Sequence, residues 1–315
     1  MFLFDMPLDQ LKTCLLPQSR EPDFDAFWDR MRARGQAQPL NPGGEAVAYS
    51  VPDVYVEKIS FDAFDGGRIV GWLLTPRERR PRPTLLFFHG YSGNKVRAAN
   101  YLLWALQGFT CIAIDVRGQS GESTDTAYYP EGRTSGWMTS GLLDPERHYF
   151  ARAYIDAVRT IDFACTRGEV QPGCIGATGC SQGGGLSLAA ACLDSRVKLC
   201  MAEVPAFCHF RRTFEVTNES PWTEMIQYFK IYPERIERAF RTLSYVELNN
   251  MTERIQCPTL ITVGLQDMIC VPSSIFSAYN RIRVAEKQLD IFPFNAHEAQ
   301  LNIETMIVWA RERLM

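Results

Sequence analysis

Six short apolar runs, each ending at a glycine or a polar loop, alternate with amphipathic segments along most of this chain. The runs are Thr84–Phe88, Thr110–Asp115, Cys174–Thr178, Leu199–Val204, Thr259–Val263 and Leu289–Phe292. The helical segments between them include Val96–Leu106, Tyr149–Arg167, Gln182–Leu193 and Ser273–Ile282. Continuous apolar strands that alternate with helices are typical of a mostly parallel sheet covered on both faces. The sequence therefore predicts an α/β fold with a sheet of this kind.

The flanking regions differ from this alternation. The first 35 residues have an acidic and aromatic pattern typical of helices, as in Asp23–Arg32. This pattern predicts a helical extension over residues 1–50. Val54–Phe61 and Ile69–Leu74 alternate like strands around Asp65-Gly66-Gly67, which predicts a hairpin.

A later segment, Phe207–Leu248, is long, polar and aromatic and has no strand of its own. It predicts a helical insertion over about 207–248, above the edge of the sheet where such folds bind ligands. With no repeat or linker in the sequence, we predict one domain over residues 1–315.

Composition narrows the class of protein. The 315 residues are 46% hydrophobic and 22% charged, with a net charge of -3, so no basic surface favours nucleic acid or an acidic membrane. No apolar run has membrane-spanning length, and the start MFLFDMPLDQ lacks the basic region of a secretory signal.

The sequence contains ten cysteines and no C-x-x-C pair, so we predict no zinc site. We interpret the cysteines as reduced, buried thiols of a cytoplasmic protein; the alternative is a set of disulfides.

The segment Gly179-Cys180-Ser181-Gln182-Gly183 follows one predicted strand and directly precedes a predicted helix. A strand that turns into a helix within about two residues holds the central side chain in a strained, exposed position. Larger residues than Gly179 and Gly183 would clash there, and the helix N-terminus favours negative charge beside Ser181. The pattern predicts Ser181 as a nucleophile; the alternative is an ordinary glycine-rich turn.

Cys180 is a second candidate nucleophile, because some hydrolases of this fold use a cysteine. It would need glycines at positions 178 and 182, where the chain has Thr178 and Gln182. We therefore place Ser181 at the apex of the turn and interpret Cys180 as a small core residue.

The order of the chain selects a base among four histidines. In an α/β-hydrolase the triad follows in the order serine, acid, histidine, with the histidine in a loop beyond the last strand. His297 has that position, whereas His89 and His148 precede the nucleophile. His209 also follows Ser181, but no strand comes closely before it. We predict His297 as the general base.

The acid is expected in the loop after Thr259–Val263, and Asp267 lies there. A carboxylate in that loop can accept a hydrogen bond from His297, fix its tautomer and stabilise the imidazolium. Glu298 is the rival because it neighbours His297, but adjacent side chains on an extended loop diverge. A solvated loop aspartate is the other alternative, and we favour Asp267 as the acid.

Two backbone N–H groups are needed to bind the oxyanion. One comes from the residue after the nucleophile and the other from the loop after an early strand. These are Gln182 and Tyr91, the latter within His89-Gly90-Tyr91-Ser92-Gly93. His89 is then a structural residue, and a plain turn is the alternative for this loop.

Together these segments resemble the acetyl xylan esterase / cephalosporin C deacetylase family of carbohydrate esterases, over nearly the whole chain. The most specific match is three motifs in order: RGQ at Arg117–Gln119, G-x-S-x-G at 179–183 and HE at His297–Glu298. Further matching segments are Asp5–Lys12, Asp23–Trp28, Gly136–Asp144, Cys208–Arg212, Arg241–Tyr245 and Val271–Ser274. Cys180 stands where the family commonly has glycine, and AQLNIE after HE also departs from the family pattern. These departures leave the acyl and sugar preference open.

The resemblance implies a serine esterase that deacetylates small acetylated carbohydrates, such as acetyl xylo-oligosaccharides, and similar acetate esters such as cephalosporin C. It also implies a cytosolic location and homohexamers. From the triad itself we expect an acetyl-enzyme intermediate and no need for a cofactor or metal. The residues that match the family's catalytic set are Ser181, Asp267 and His297, with Tyr91 and Gln182 as oxyanion donors.

Arg117 matches the arginine of the family's RGQ motif. An arginine after a strand can bind several carbonyls with its five donors, so we interpret Arg117 and Gln119 as scaffold. A solvated surface arginine is the alternative.

Other functions remain open from the sequence. A general short-chain carboxylesterase or a short-peptide hydrolase needs the same triad, and the fold also serves non-catalytic binding modules. Aromatic side chains of the insertion either close the pocket over a short acyl group or pack in the core; they are Phe207, Phe210, Trp222, Tyr228 and Phe229.

Overall fold

The computed structural model of this protein describes residues 4–315. Over those residues the strands are β1 (Gly43–Val47), β2 (Val54–Asp62), β3 (Arg68–Pro76), β4 (Arg82–Phe88), β5 (Thr110–Ile114), β6 (Val170–Cys180), β7 (Val197–Glu203), β8 (Thr259–Gly264) and β9 (Lys287–Phe292). The α-helices are α1 (Leu8–Leu11), α2 (Phe24–Ala37), α3 (Leu102–Leu106), α4 (Tyr149–Cys165), α5 (Gln182–Leu193), α6 (Phe210–Val216), α7 (Trp222–Ile231), α8 (Ile236–Val246), α9 (Pro272–Arg281) and α10 (Ile303–Leu314). None of these helices has the length and apolar character needed to cross a membrane.

All the strands join one sheet, in the order β1-β2-β3-β5-β4-β6-β7-β8-β9. Strand β1 pairs with β2, β2 with β3 and β3 with β5 in antiparallel fashion. From β5 onward every neighbouring pair is parallel. The carboxyl ends of these parallel strands share one edge of the sheet, so the loops that follow β4, β6 and β8 meet there.

Side chains of the parallel strands alternate between two buried layers. In β4, Leu85 packs in the cluster that contains Trp104 of α3 and Trp309 of α10. The next residue, Leu86, packs in the opposite cluster with helices α4 and α5. Because both faces are covered, each strand needs apolar residues at nearly every position, which explains the continuous apolar runs.

The predicted mostly parallel α/β sheet is confirmed. Each of the six apolar runs corresponds to a strand, although Thr110–Asp115 and Leu199–Val204 extend one residue past the ends of β5 and β7. The hairpin around Asp65-Gly66-Gly67 joins β2 to β3. The predicted helical extension over 1–50, described from residue 4 onward, is only partly helical, because Gly43–Val47 forms the edge strand β1. Most side chains of β1 are exposed, so no apolar alternation marks it. Helix α10 is not among the predicted helices.

The segment over 207–248 contains three α-helices, α6, α7 and α8, and no strand. Most of its aromatic side chains are core residues: those 1–3% exposed are Phe207, Phe210, Trp222 and Tyr228. The Phe207 ring lies 4.3 Å from the ring of Phe150 in α4, centroid to centroid. The core interpretation therefore holds for these four, while Phe229 is partly buried. The division into one domain with an extension and an insertion stays a prediction.

The N-terminal segment binds residues far along the chain. The Asp5 carboxylate accepts hydrogen bonds from Arg212 Nη2 and from the backbone N–H of Ser273, both at 2.7 Å. The Leu16 amide donates to Ser277 Oγ at 2.8 Å. Ser273 and Ser277 belong to α9, so the extension anchors the helix that follows the Asp267 loop.

Candidate active site

Ser181 joins the end of β6 to the start of α5 with a φ of 57° and a ψ of -120°. A positive φ is strained for a residue with a side chain, and the surrounding structure must hold it in place. The Ser181 N–H donates to the carbonyl of Glu203 at 2.9 Å, and the Ser181 carbonyl accepts from Gly185 at 2.9 Å and Ala206 at 3.0 Å. These backbone bonds fix the turn that the sequence predicts.

Two glycines make room for this turn. A Cβ added at Gly183 would lie 1.9 Å from the carbonyl oxygen of Phe88, and one added at Gly179 would lie 2.3 Å from the same atom. Both distances are far below van der Waals contact. The end of β4 therefore lies directly against the turn at Ser181, which accounts for the glycines of G-x-S-x-G.

Asp267 and His297 form a hydrogen-bonded pair next to this turn. His297 Nδ1 lies 2.8 Å from Asp267 Oδ2, and Asp267 is fully buried. The other carboxylate oxygen accepts from the amides of Ile269 at 2.8 Å and Cys270 at 2.9 Å. Glu298 is exposed, and its carboxylate bonds the side chain of Asn295 instead. The structure thus brings Asp267, and not Glu298, to His297.

The other histidines have structural surroundings. His89 Nε2 accepts from the Val116 amide at 2.8 Å, and Nδ1 lies 2.8 Å from the carbonyl of Gly90, to which it donates. His209 Nδ1 accepts from the Arg212 amide at 3.1 Å and caps α6. His148 is fully buried, and burial lowers its pKa to about 3.

Cys270 is a residue of the site that the sequence analysis missed. Its side chain is buried beside that of Ser181. Side-chain atoms of Asp267, Cys270 and His297 lie within 4.8 Å of one another, and these are residue types that bind metals. Burial raises the pKa of the Cys270 thiol well above its usual value, which favours the neutral thiol. The sequence offers one indication that Cys270 belongs to the site, its position three residues after Asp267. That spacing is not a recognised motif.

Cys180 directly precedes Ser181 in the turn. Burial, followed by the nearby carboxylates of Glu203 and Asp267, raises its pKa to about 12. A thiol with that pKa is almost entirely protonated at neutral pH and is a poor nucleophile. This agrees with the interpretation of Cys180 as a packing residue.

The Tyr91 loop lies against the nucleophile turn. A Cβ added at Gly90 would lie 3.9 Å from Ser181 Cβ. Gln182 is buried, and its side-chain amide donates to the carbonyl of His89 at 3.3 Å. The two segments that carry the predicted oxyanion donors are therefore adjacent, while the role of the Tyr91 and Gln182 amides stays a prediction.

Arg117 is a fully buried residue at the centre of an ionic cluster. Its Nε donates to Asp156 at 2.6 Å, and its Nη atoms lie 3.0 and 3.1 Å from the carboxylate of Asp65 and 3.3 Å from that of Asp125. The partners are carboxylates rather than the carbonyls that we expected. A buried cation needs charged partners more than dipoles, because burial removes its water.

Gln119 connects this cluster to the nucleophile turn. Its side-chain nitrogen donates to Gln182 Oε1 at 2.8 Å and to the phenol of Tyr149 at 3.0 Å. That phenol donates to the carbonyl of Arg117 at 2.5 Å. Arg117 and Gln119 thus contact the residue that follows Ser181 through one buried chain of hydrogen bonds.

The chain is similar to known esterases over nearly its whole length. Residues 1–313 match the family described as Acetyl xylan esterase (AXE1). The solved acetyl xylan esterase from Paenibacillus sp. R4 is 41% identical with a TM-score of 0.95, over 98% of this chain and 100% of that one. Acetyl Xylan Esterase 1 from Thermoanaerobacterium sp. JW/SL YS485 is 30% identical with a TM-score of 0.93, over 98% and 99%. Acetyl esterase Axe7A of Xylanibacter ruminicola is 28% identical over 316 residues, which cover 95% of this chain and 69% of that protein.

The match to the family covers almost the entire chain, and the two solved structures resemble it in both fold and sequence. The chain therefore belongs to the acetyl xylan esterase family, whose members are carboxylic ester hydrolases with the α/β-hydrolase fold.

Proposed function

We propose that this protein is a serine esterase that removes acetyl groups from small acetylated carbohydrates, acetyl xylo-oligosaccharides among them, and from acetate esters such as cephalosporin C. One observation carries the proposal: the strained Ser181 lies next to a hydrogen-bonded pair of Asp267 and His297. The proposed substrate class, acetylated xylan fragments, follows from the names of the relatives, which are acetyl xylan esterase and acetyl esterase.

In the proposed mechanism, Ser181 Oγ attacks the ester carbonyl while His297 takes its proton. Asp267 holds the imidazole and stabilises the imidazolium, and the amides of Tyr91 and Gln182 bind the oxyanion. His297 then protonates the leaving alcohol, which leaves an acetyl group on Ser181. A water molecule activated by His297 hydrolyses this acetyl-enzyme and restores the serine.

Assembly as a homohexamer in the cytosol, which the resemblance implies, is part of the same proposal.

The test compares wild type, Ser181→Ala and Cys180→Ala on the 4-nitrophenyl esters of acetate, butyrate and octanoate. Loss of the nucleophile should lower kcat on the order of 10⁴-fold or more. Cys180→Ala is the matched neighbour and should keep most of the activity, because its thiol is protonated at neutral pH. Near-normal turnover by Ser181→Ala would exclude the mechanism.

Acyl length separates the proposed function from its nearest alternative. A deacetylase should hydrolyse the acetate faster than the octanoate, and acetylated xylo-oligosaccharides should then release acetate. Rates that stay equal or rise with chain length would indicate a general carboxylesterase. Absence of any esterase activity in wild type would favour a binding module.

A further inference from the structure

Glu224 belongs to helix α7 of the insertion, yet its carboxylate reaches the loop that carries Tyr91. The Tyr91 phenol lies 2.8 Å from Glu224 Oε1 and 2.9 Å from Glu224 Oε2. The amide of Met138 donates to Oε2 at 3.2 Å. One half-buried carboxylate therefore joins three segments that are distant in sequence.

The Tyr91 phenol is fully engaged by these contacts. It donates to Glu224 and accepts from the amide of Trp137 at 2.6 Å, so both of its hydrogen-bonding roles are used. The Tyr91 and Trp137 rings also meet edge to face, with centroids 5.5 Å apart. The position of the ring is thus fixed by a charge-assisted bond, a backbone bond and a packing contact.

The fit around the carboxylate is equally tight. A Cβ added at Gly136 would lie 2.1 Å from Glu224 Oε1, and Gly136 has a φ of +73°. The Thr134 hydroxyl donates to the backbone carbonyl of Glu224 at 3.1 Å. The loop around residues 134–138 is therefore shaped to receive Glu224 at this place.

The backbone N–H of Tyr91 is one of the two groups that bind the oxyanion in the proposed mechanism. Oxyanion donors act only when they lie within about 2.7–3.1 Å of the developing charge. A side chain anchored at its tip restricts the backbone to which it is attached. The Glu224 contact is thus a physical means of fixing that amide before substrate arrives.

We propose that Glu224 is a positioning residue for catalysis: by holding the Tyr91 phenol, it fixes the Tyr91 amide against the nucleophile turn. The inference rests on the proposed function of the same site. It assigns to the helical insertion a part in transition-state binding, in addition to covering the sheet. An interaction that matters in the transition state alone changes kcat and leaves KM nearly unchanged.

The experiment is a double-mutant cycle with Tyr91→Phe, Glu224→Ala and the double variant, measured on 4-nitrophenyl acetate. Tyr91→Phe and Glu224→Ala should each lower kcat by about 10-fold and change KM by less than about twofold. The kcat of the double variant should be no lower than that of the less active single variant, because both changes remove the same interaction. Glu224→Gln keeps an acceptor oxygen for the phenol and should recover most of the loss. Tyr55→Phe is the matched control, since it removes a similar tyrosine–glutamate bond of 3.1 Å to Glu57 on β2.

Inhibition by a boronic acid, which forms a tetrahedral adduct with a nucleophilic serine, gives a second readout that does not require turnover. The inhibition constant should weaken in Tyr91→Phe and Glu224→Ala in parallel with kcat, and remain unchanged in Tyr55→Phe. Unchanged kcat and inhibition constant in Tyr91→Phe, or losses that add in the double variant, would overturn the inference. Tyr91→Phe removes a single hydroxyl, so it decides the matter even if Glu224→Ala folds poorly. An inactive wild type that still bound the boronic acid would instead overturn the proposed ester substrate.

Discussion

Asp267 holds His297 through one carboxylate oxygen, at 2.8 Å, while its other oxygen is held by two backbone amides of its own loop. The carboxylate is therefore oriented by the loop itself, independently of the histidine. Its complete burial excludes water from competing for His297 Nδ1. This arrangement keeps the imidazole in the tautomer whose Nε2 is free to accept a proton.

Replacing Asp267 with Asn should abolish most activity without unfolding the protein. The asparagine keeps the shape of the side chain but removes its charge, and the equivalent change in a serine protease lowers kcat about 10⁴-fold. Glu298→Gln is the control and should leave kcat within about twofold, because Glu298 is exposed and its carboxylate bonds Asn295. Ester hydrolysis and the thermal midpoint of both variants check this. The opposite ranking of the two variants would identify Glu298 as the acid.

Gly183→Ala should be severely destabilising. The added methyl group would lie 1.9 Å from the Phe88 carbonyl oxygen, and backbone atoms cannot move aside as a flexible side chain does. We expect a loss in the free energy of unfolding of more than about 3 kcal/mol, measured by urea denaturation. Gly168→Ala is the matched control, since nothing lies within 4 Å of its added Cβ. It should stay within about 0.5 kcal/mol of wild type, and equal losses in the two variants would contradict the steric account.

His148 should make the protein sensitive to acid. Its pKa is lowered to about 3 by burial, and neither ring nitrogen has a hydrogen-bond partner among residues 4–315. Between about pH 6.5 and 3 the unfolded chain binds a proton at this position and the folded chain does not. The free energy of unfolding should therefore fall as the pH is lowered through this range, by at most about 1.4 kcal/mol per unit. His148→Leu should show a shallower fall in urea denaturation, and an unchanged slope would refute the prediction.

The sequence alone was sufficient for the parts of the molecule governed by local patterns. Continuous apolar runs identify the parallel strands because both faces of the sheet are buried. The nucleophile turn could be located because a sharp strand-to-helix turn restricts residue size at Gly179 and Gly183. Asp267 was preferred to Glu298 by its place after a strand, and the structure puts it, and not Glu298, beside His297.

What the sequence did not indicate depends on contacts between distant segments. Glu224 meets Tyr91 across 133 positions, and no local pattern marks a helical glutamate as the partner of a remote phenol. Strand β1 pairs through its backbone with β2 and leaves most of its side chains exposed, so it lacks alternation. The sequence did not indicate that Arg117 binds carboxylates rather than carbonyls, because the carboxylates that surround it come from three separate parts of the chain.

The contacts of the N-terminal segment also bear on the order in which the chain can fold. Asp5 binds Arg212 and Ser273, and Leu16 binds Ser277, so the partners lie 207 to 268 positions later. A ribosome produces the N-terminal segment well before these partners. The N-terminal segment therefore cannot make these contacts until α9 has been synthesised, so its docking on α9 has to follow the synthesis of the residues that lie between them.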